Sequence, residues 1–331
     1  MSTYTHLTQE ERYHIETLRK QKVSLSKIAA GMGRNKSTLS RELRRNQGQR
    51  GYRYQQAQRK ALRRHREKPK AVKLDEGLRS EIASRIEQRW SPEQIGGRLK
   101  WEGKKSVSHE TIYRFVLADR KAGGRLYTHL RHQAKPYRKR YGKRDARGVI
   151  PGRVDIARRP VIVAEKTRLG DWEADTVIGK GHRGVLVTLT ERVSKLNLAV
   201  CVPRKEAIAV KDAIVTALKP LQAWVQTLTF DNGREFCQHQ AVAAALDCET
   251  YFATPYRSWE RGLNENHNGL LRQYFPKQMP LDAVTQSEVD AAINALNHRP
   301  RKTLDYRTPW EVFKTLSGLD SSYLAGVALM T

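Results

Sequence analysis

The sequence predicts an all-helical N-terminal region followed by an α/β domain with a mixed sheet. Near the N-terminus, apolar side chains recur at the spacing of amphipathic helices, behind residues that favour helix starts. From about Arg168 onwards, short runs rich in Val, Leu and Thr alternate with helical segments, as expected of an α/β layer. The length of 331 residues suggests two or three domains.

The charge of the chain indicates a polyanionic partner. The chain carries 62 Lys and Arg against 34 Asp and Glu, a formal net charge of +28. Such an excess is typical of proteins that bind nucleic acid, and double-stranded DNA is the partner that we expect. No apolar run approaches the roughly 20 residues of a membrane-spanning helix, and no signal peptide is expected. The three cysteines lack zinc-type spacing and fit a reducing cytoplasm.

Residues 1–48 are predicted to form a helix-turn-helix domain. Thr8 begins a capping box for one helix, and Ser24 can cap a second helix. A turn at Gly33 leads to Asn35, which caps a basic third helix. Two short helices joined by a glycine turn, the second of them basic, are typical of this motif. The outward residues of the third helix are the predicted DNA contacts: Lys36, Ser37, Thr38, Ser40, Arg41, Arg44 and Arg45.

Three further segments are predicted between this domain and the sheet. Residues 49–75 are dense in Arg and Lys and are interpreted as a basic connector that contacts DNA or serves as a solvated linker. Residues 76–120 are predicted to form a second helical unit, with helix starts at Pro92 and Ser108. This unit is either a second helix-turn-helix or a helical spacer. Residues 121–160 are strongly basic and poorly periodic, which indicates an interdomain arm that orders on DNA.

Residues 161–331 are predicted to form the α/β domain. Three strand-like runs come first, and helices and strands then alternate, which is the order expected of a ribonuclease-H-like mixed sheet. The predicted strands are Gly170–Val177, Gly184–Glu191, Leu196–Val202, Thr227–Phe230 and Thr250–Phe252. The predicted helices are Ala207–Leu218, His239–Leu246, Gly262–Gln273 and Gln286–Asn297.

Three separated carboxylates in this domain are the candidate metal ligands. Asp175 lies in the first strand, Asp231 directly follows the fourth, and Glu265 lies near the start of a helix. Asp171 and Glu173 share a strand face with Asp175, so strand parity alone does not decide among them. Asp175 is preferred because Thr176 and Val177 continue the strand behind it. Carboxylates that converge from two strands and a helix can hold two Mg²⁺ ions for phosphodiester chemistry.

The motifs around these residues resemble those of one family. They are Trp172-x-x-Asp175-Thr176, Asp231-Asn232-Gly233-x-Glu235-Phe236, and a long block that runs from Pro255-Tyr256 through Glu260-Arg261-Gly262-x-Asn264-Glu265-Asn266-x-Asn268-Gly269-Leu270 to Pro276-Lys277. They are similar to those of the DDE insertion-sequence transposases, most of all the IS-thirty (IS30) family, whose core is similar to retroviral integrase. The resemblance covers essentially the whole chain. It departs from the family pattern at Arg257 and Gln278, neither of which belongs to the candidate triad.

The resemblance implies a bacterial transposase with Asp175, Asp231 and Glu265 as its metal-binding and catalytic triad. It implies two Mg²⁺ ions per active site, with Mn²⁺ as a substitute, and a homo-oligomer that pairs two element ends in the cytoplasm, associated with the nucleoid. The expected reaction is cleavage of the ends at terminal inverted repeats and joining of a 3′-hydroxyl to target DNA. Further DNA contacts are expected beside the site at Arg261, Asn264, Asn266, Arg272 and Lys277, although either asparagine can instead steady the carboxylate or cap the helix.

Two other functions remain open at this level. One is a DNA-binding regulator that keeps the fold of a nuclease without its activity. The other is a structure-specific nuclease that cuts DNA without joining it. Metal-dependent nicking separates the first from a transposase, and strand transfer separates the second.

Overall fold

The chain folds into two compact units, Met1–Lys73 and Leu74–Thr331. The structure, a computed structural model, describes residues 5–67, 74–131, 150–255, 257, 260 and 262–319. The central part of the predicted interdomain arm, residues 132–149, lies outside the described residues, as do Tyr256, Trp259 and Arg261. Within the described part of the chain, no helix is long and apolar enough to cross a membrane.

The N-terminal unit begins with the three helices that the sequence predicts. Its helices are α1 Gln9–Lys20, α2 Leu25–Gly31, α3 Lys36–Asn46 and α4 Tyr54–Glu67. The capping box at α1 is present, since the Thr8 hydroxyl accepts from the Glu11 backbone N–H at 3.1 Å and Glu11 accepts from the Thr8 N–H at 2.7 Å. Asn35 caps α3 by accepting from the Ser37 N–H at 2.8 Å. Gly33, between α2 and α3, has a left-handed φ of +60°.

The fourth helix corrects the prediction of a connector over residues 49–75. Most of that segment is α4, which packs against α1 and α3 in the same unit. Ala57 is completely buried, and Lys60 donates through Nζ to the Gln47 carbonyl oxygen, just past the end of α3, at 3.0 Å. Sequence reasoning missed this helix because its high charge suggests a linker and Ala57 is its one fully buried apolar residue.

The larger unit starts with a helical part. Its helices are α5 Glu76–Glu87, α6 Pro92–Trp101 and α7 His109–Lys121. They enclose a small core that includes the fully buried Ile82, Ile95 and Ile112. A 3₁₀ turn at Leu126–His129 packs onto the same core and extends the ordered structure into the predicted arm. This part therefore has its own apolar centre.

The sheet has five strands in the order β3-β2-β1-β4-β5. The strands are β1 Asp171–Ile178, β2 Val185–Glu191, β3 Asn197–Val202, β4 Thr227–Phe230 and β5 Glu249–Phe252. β1, β2 and β3 form an antiparallel meander, whereas β4 and β5 run parallel to β1. The ribonuclease-H-like mixed sheet predicted from the sequence is thus confirmed, with strand ends that differ by one residue at most.

Helices cover both faces of the sheet. The helices of this part are α8 Val161–Glu165, α9 Ala207–Leu218, α10 His239–Leu246, α11 Gly262–Leu271, α12 Gln286–Asn297 and α13 Pro309–Ser317. Alternate residues of β2 point to opposite cores, as strand geometry requires. Val187 packs with α9 and α10, whereas Leu186 packs with α11 and α12. The second of these cores holds α11, the helix that carries Glu265, against β1 and β2.

The helical part is fixed to the sheet part by α6. Arg98 donates to both carboxylate oxygens of Glu311, at the start of α13, at 2.7 Å. Gly97 lies so close to Tyr306 that an added Cβ would be 2.1 Å from its ring. Such a bidentate pair, together with a close backbone approach, defines one relative orientation of the two parts. The sequence did not predict α13 or this contact.

A buried ion pair joins α1 to α3 and supplies a first prediction. Arg12 and Glu42 are 6% and 8% exposed, and Arg12 Nε lies 2.8 Å from Glu42 Oε1. Glu42→Gln leaves the guanidinium buried without its counter-charge, so we expect the opening free energy of α1 and α3 to fall by about 3 kcal/mol. Hydrogen exchange of their amides in the full-length protein measures this change.

The matched control is Glu67→Gln in α4. Glu67 pairs with Arg63 at 3.7 Å, and both side chains are more than 60% exposed. We expect a change below about 1 kcal/mol. Equal effects of the two substitutions would contradict the role assigned to the buried pair.

Candidate functional site

Two of the three candidate carboxylates lie on neighbouring parallel strands. β1 and β4 pair in a register that aligns Glu173 with Thr229. Continued by two residues, this register brings Asp175 level with Asp231, on strands about 4.8 Å apart. Both residues are partly exposed at the carboxyl end of β4. The pairing of the sheet therefore gathers residues that are separated by more than fifty positions in the sequence.

The helix that carries the third carboxylate, α11, is hydrogen-bonded to Asp175. Asn268 of α11 donates through Nδ2 to Asp175 Oδ2 at 2.7 Å. The Thr188 hydroxyl, on β2, lies 3.1 Å from Asn268 Oδ1 and 3.2 Å from the Asp175 carbonyl oxygen. Glu265 is three residues before Asn268 and exposed, so it lies on the same side of the helix. Asn268 and Thr188 thus form a bridge between α11 and the strand that carries Asp175.

The two acidic residues that share a strand face with Asp175 have structural partners instead. Asp171 is fully buried and accepts from Thr227 Oγ1 at 2.8 Å. Glu173 is 1% exposed and forms an ion pair with Arg192. The second oxygen of Glu173 accepts from the Asn264 backbone N–H, in the first turn of α11, at 3.3 Å. Glu173 therefore anchors the helix, and both Asp171 and Glu173 are occupied by structural contacts.

The backbone after Asp231 folds into a tight turn. Asp231 Oδ1 accepts from the Gly233 N–H at 2.8 Å, which is an Asx turn. Asn232 donates through Nδ2 to the Ala253 carbonyl oxygen, one residue past the end of β5, at 2.7 Å. The turn is thereby tied to the neighbouring strand, which fixes the position of Asp231.

A salt bridge between the exposed Lys205 and the buried Glu235, next to Asp175, was not predicted as part of the site. Glu235 is 5% exposed, and Lys205 Nζ lies 2.6 Å from its Oε1. The hydroxyl of Thr176, the residue after Asp175, donates to the same carboxylate at 3.2 Å. The motif that begins at Asp231 includes Glu235, so the sequence did mark this residue. Lys205 lies in a loop, and no sequence pattern marks it.

The donor set fits a hard divalent cation. Asp175, Asp231 and Glu265 supply carboxylate oxygens, which are the ligands that Mg²⁺ prefers, and no Cys or His lies among them. Among the described residues, no three His, Cys, Asp or Glu side chains are close enough to hold a metal ion. The chemistry of the three donors thus fits Mg²⁺, whereas their side chains do not form a ready-made cluster in the described part of the chain.

The predicted DNA contacts fall into two groups. On α3, Lys36, Ser37, Ser40, Arg41, Arg44 and Arg45 are exposed, whereas Thr38 is half-buried. Beside the carboxylates, Asn266 and Lys277 are exposed. Asn264 is 1% exposed, so its side chain cannot contact DNA in this conformation. Arg272 is half-buried and donates to the Ile178 carbonyl oxygen at 2.8 Å, which ties the end of α11 to β1.

Comparisons with known proteins agree with this architecture. A family model described as a helix-turn-helix domain matches residues 3–46, and one described as an integrase core domain matches residues 167–258. The transposase for insertion sequence element IS4351 of Bacteroides fragilis is 44% identical over 318 residues, 96% of this chain and 98% of the relative. Transposase InsI for insertion sequence element IS30A of Escherichia coli (strain K12) is 34% identical over 322 residues, which are 93% of this chain and 83% of the relative.

Among solved structures, the catalytic core domain of BIV integrase covers 45% of this chain and 95% of its own, with 22% identity and a TM-score of 0.36. The two family matches confirm the predicted helix-turn-helix and the predicted integrase-like core.

The bridge through Asn268 yields a second prediction. Asn268→Ala removes the hydrogen bond that orients the Asp175 carboxylate, and residues that orient a metal ligand typically contribute 10-fold or more to affinity. We expect Mn²⁺ affinity in the absence of DNA to fall by about tenfold, as measured by electron paramagnetic resonance titration.

Asn266→Ala, an exposed position of the same helix, is the control and should leave Mn²⁺ affinity unchanged. Unchanged affinity in Asn268→Ala would show that the bridge does not act on a metal site.

Proposed function

The chain belongs to the IS30 family of transposases, and on this premise we propose that it binds the terminal inverted repeats of an insertion sequence, cleaves the DNA ends and joins the 3′-hydroxyl to target DNA. The observation that supports the proposal is the hydrogen bond from Asn268, on the helix that carries Glu265, to Asp175, whose strand pairs with the strand that leads to Asp231. We assign these three residues as the catalytic and metal-binding triad.

Two Mg²⁺ ions, or Mn²⁺ ions in their place, would be held by Asp175, Asp231 and Glu265. When bound, they supply an activated oxygen nucleophile and stabilise the departing oxygen. The strand of Asp175 pairs with β4, which leads to Asp231, and Asp175 accepts a hydrogen bond from the helix that carries Glu265, so all three carboxylates would contribute ligands to one site.

The protein's own residues orient the ligands and the helix. Asn268 holds one oxygen of Asp175, which limits rotation of that carboxylate. The Asx turn positions Asp231, and Glu173 anchors the first turn of α11, so that Glu265 is presented from a fixed helix. Such preorganisation lowers the reorganisation needed in the transition state.

Recognition of the element ends is assigned to the N-terminal unit. The exposed face of α3 carries Lys, Arg and Ser side chains that can donate to base edges and phosphates in a major groove. The carboxylate edge of the sheet part offers no such readout, and the helical part of the larger unit, α5 to α7, stays a second candidate for DNA contact. We assign to the protein a homo-oligomeric state on DNA, since two ends must be paired before they are joined.

A single assay tests the proposal and separates the alternatives. Full-length protein, Mg²⁺ and a labelled element end are incubated with target DNA, and products are resolved on a denaturing gel. A transposase yields both cleaved and joined products. Cleavage without joining indicates a nuclease, and binding without cleavage indicates a regulator, and either result contradicts the proposal.

The third prediction concerns Glu265. Glu265→Gln should fold and bind DNA normally but lose cleavage and joining, because a neutral amide contributes little metal affinity. Glu260→Gln is the control. Glu260 accepts from the Thr254 N–H at 2.8 Å, a contact that does not involve a metal, so its variant should be much more active. An essential Glu260 together with a dispensable Glu265 would show that the triad is assigned to the wrong residue.

The fourth prediction concerns α3. Arg44→Ala and Arg41→Ala should each weaken binding to the element end by about tenfold while binding to random DNA changes little, if the side chains contact bases. Titrations by fluorescence anisotropy at several salt concentrations measure both quantities. Arg63→Ala on α4 removes the same charge and is the control. An equal loss on both DNAs, with a salt slope lower by about 0.9, would assign the residue to a phosphate instead.

A further inference from the structure

Two arginines meet at the end of α11. Arg89, just after α5, donates through Nη1 to the Gln273 carbonyl oxygen, and its guanidinium lies 4.4 Å from the centre of the Tyr274 ring. Arg299, just after α12, donates to Gln273 Oε1 at 2.7 Å and to the Tyr274 hydroxyl at 3.0 Å. The helical part and the sheet part therefore contribute one positive charge each to the same place.

Two more arginines lie within electrostatic range. Arg301 donates through Nη2 to the Leu296 carbonyl oxygen at 3.0 Å. Burial, and then the charges of Arg299 and Arg131, lower the pKa of Arg301 to about 9, so it stays charged at neutral pH. Arg131 lies against α11, where its Nη2 is 2.7 Å from the position of a Cβ added to Gly269. These four residues, Arg89, Arg131, Arg299 and Arg301, are called the arginine cluster below.

The arginine cluster lacks a counter-charge within the described part of the chain. The acceptors that bind Arg89, Arg299 and Arg301 are carbonyl, amide and hydroxyl oxygens, none of them a carboxylate. Arg299 and Arg301 are only 2% and 7% exposed, and the Nε of each is buried without a hydrogen-bond partner. Buried charges without a counter-ion are costly, and an anion would stabilise them.

The open side of the arginine cluster is next to the proposed triad. Gly269, which Arg131 approaches, is four residues after Glu265 and on the same face of α11. The two positions are separated by roughly 6 Å along the helix axis. Arg131 is exposed and Arg89 half-buried, so both can be reached from solvent.

We propose that the arginine cluster binds a phosphodiester group of the DNA substrate close to the bond that is cut, a choice of ligand that rests on the proposed function. Arg131 and Arg89 contact the phosphate oxygens, because the planar guanidinium matches them in a bidentate way. Arg299 and Arg301 add buried positive charge to the site. Phosphates of one strand follow each other at about 3.4 Å along the duplex, which places the bound group within roughly three nucleotides of the scissile bond.

This site gives the helical part of the larger unit a role in the reaction. Arg89 and Arg131 belong to the helical part, whereas Arg299 and Arg301 follow α12 of the sheet part. The DNA near the scissile bond is then held by both parts at once, and the contact between Arg98 and Glu311 keeps the two halves of the site together.

The test is a thermodynamic cycle between one arginine and one phosphate. Full-length protein with Ca²⁺ in place of Mg²⁺ is titrated with element-end duplexes, each carrying one uncharged methylphosphonate near the scissile position. We expect one such replacement to weaken binding of the unaltered protein by about tenfold, and binding of Arg131→Gln by less than about twofold. Arg125→Gln removes an exposed charge six residues away and should keep the full tenfold sensitivity.

Two results would overturn the proposal. One is an Arg131→Gln protein that responds to every methylphosphonate as the unaltered protein does. The other is a variant that melts at a lower temperature with unchanged phosphate sensitivity, which would make the cluster a purely structural joint. The cycle measures binding alone. A protein that binds DNA but never cleaves it in Mg²⁺ therefore contradicts the proposed function, whereas the coupling between Arg131 and the phosphate can still be measured and tests the arginine cluster separately.

Discussion

The parallel pairing of β1 with β4 is the constraint on which the rest of the larger unit depends. It brings Asp175 level with Asp231, although the chain between them forms strands β2, β3 and β4 and helix α9. Two cores, one on each face of the sheet, hold this register: shifting β1 by one residue would move Trp172 and Ala174 out of one core and Val177 out of the other. The carboxylate edge is thus a product of packing on both faces.

Like charges gathered at one edge repel each other, and the surrounding residues offset part of that cost. Glu173, two positions before Asp175, is neutralised by Arg192. Glu235 is neutralised by Lys205. Arg192 and Lys205 thus neutralise two structural carboxylates, and Asp175 accepts a hydrogen bond from the neutral amide of Asn268.

The sequence alone was sufficient for the five strands and most of the helices, but not for α4, for α13 or for contacts between distant segments. Its choice of three carboxylates stays a prediction. Strand ends were right to within a residue because alternating Val and Leu runs are bounded by glycine and charged residues. Helix α4 was missed because Ala57 is its one fully buried apolar residue. The pair of Arg98 with Glu311 spans 213 positions, and no local pattern marks either partner. Asn264 was expected to face DNA, but the anchoring of α11 by Glu173 turns its side chain inwards.

The double attachment of α11 to β1 also determines where the chain can change length. Glu173 contacts the helix at Asn264, and Asp175 contacts it at Asn268. Two residues that are two positions apart on β1 therefore bind two residues that are four positions apart on α11. An insertion or deletion of one residue between those contacts would rotate Glu265 by about 100° away from the edge. Changes in length before the helix leave both contacts in place. The spacing between the last two carboxylates can therefore drift among related chains, while the five residues from Asn264 to Asn268 cannot.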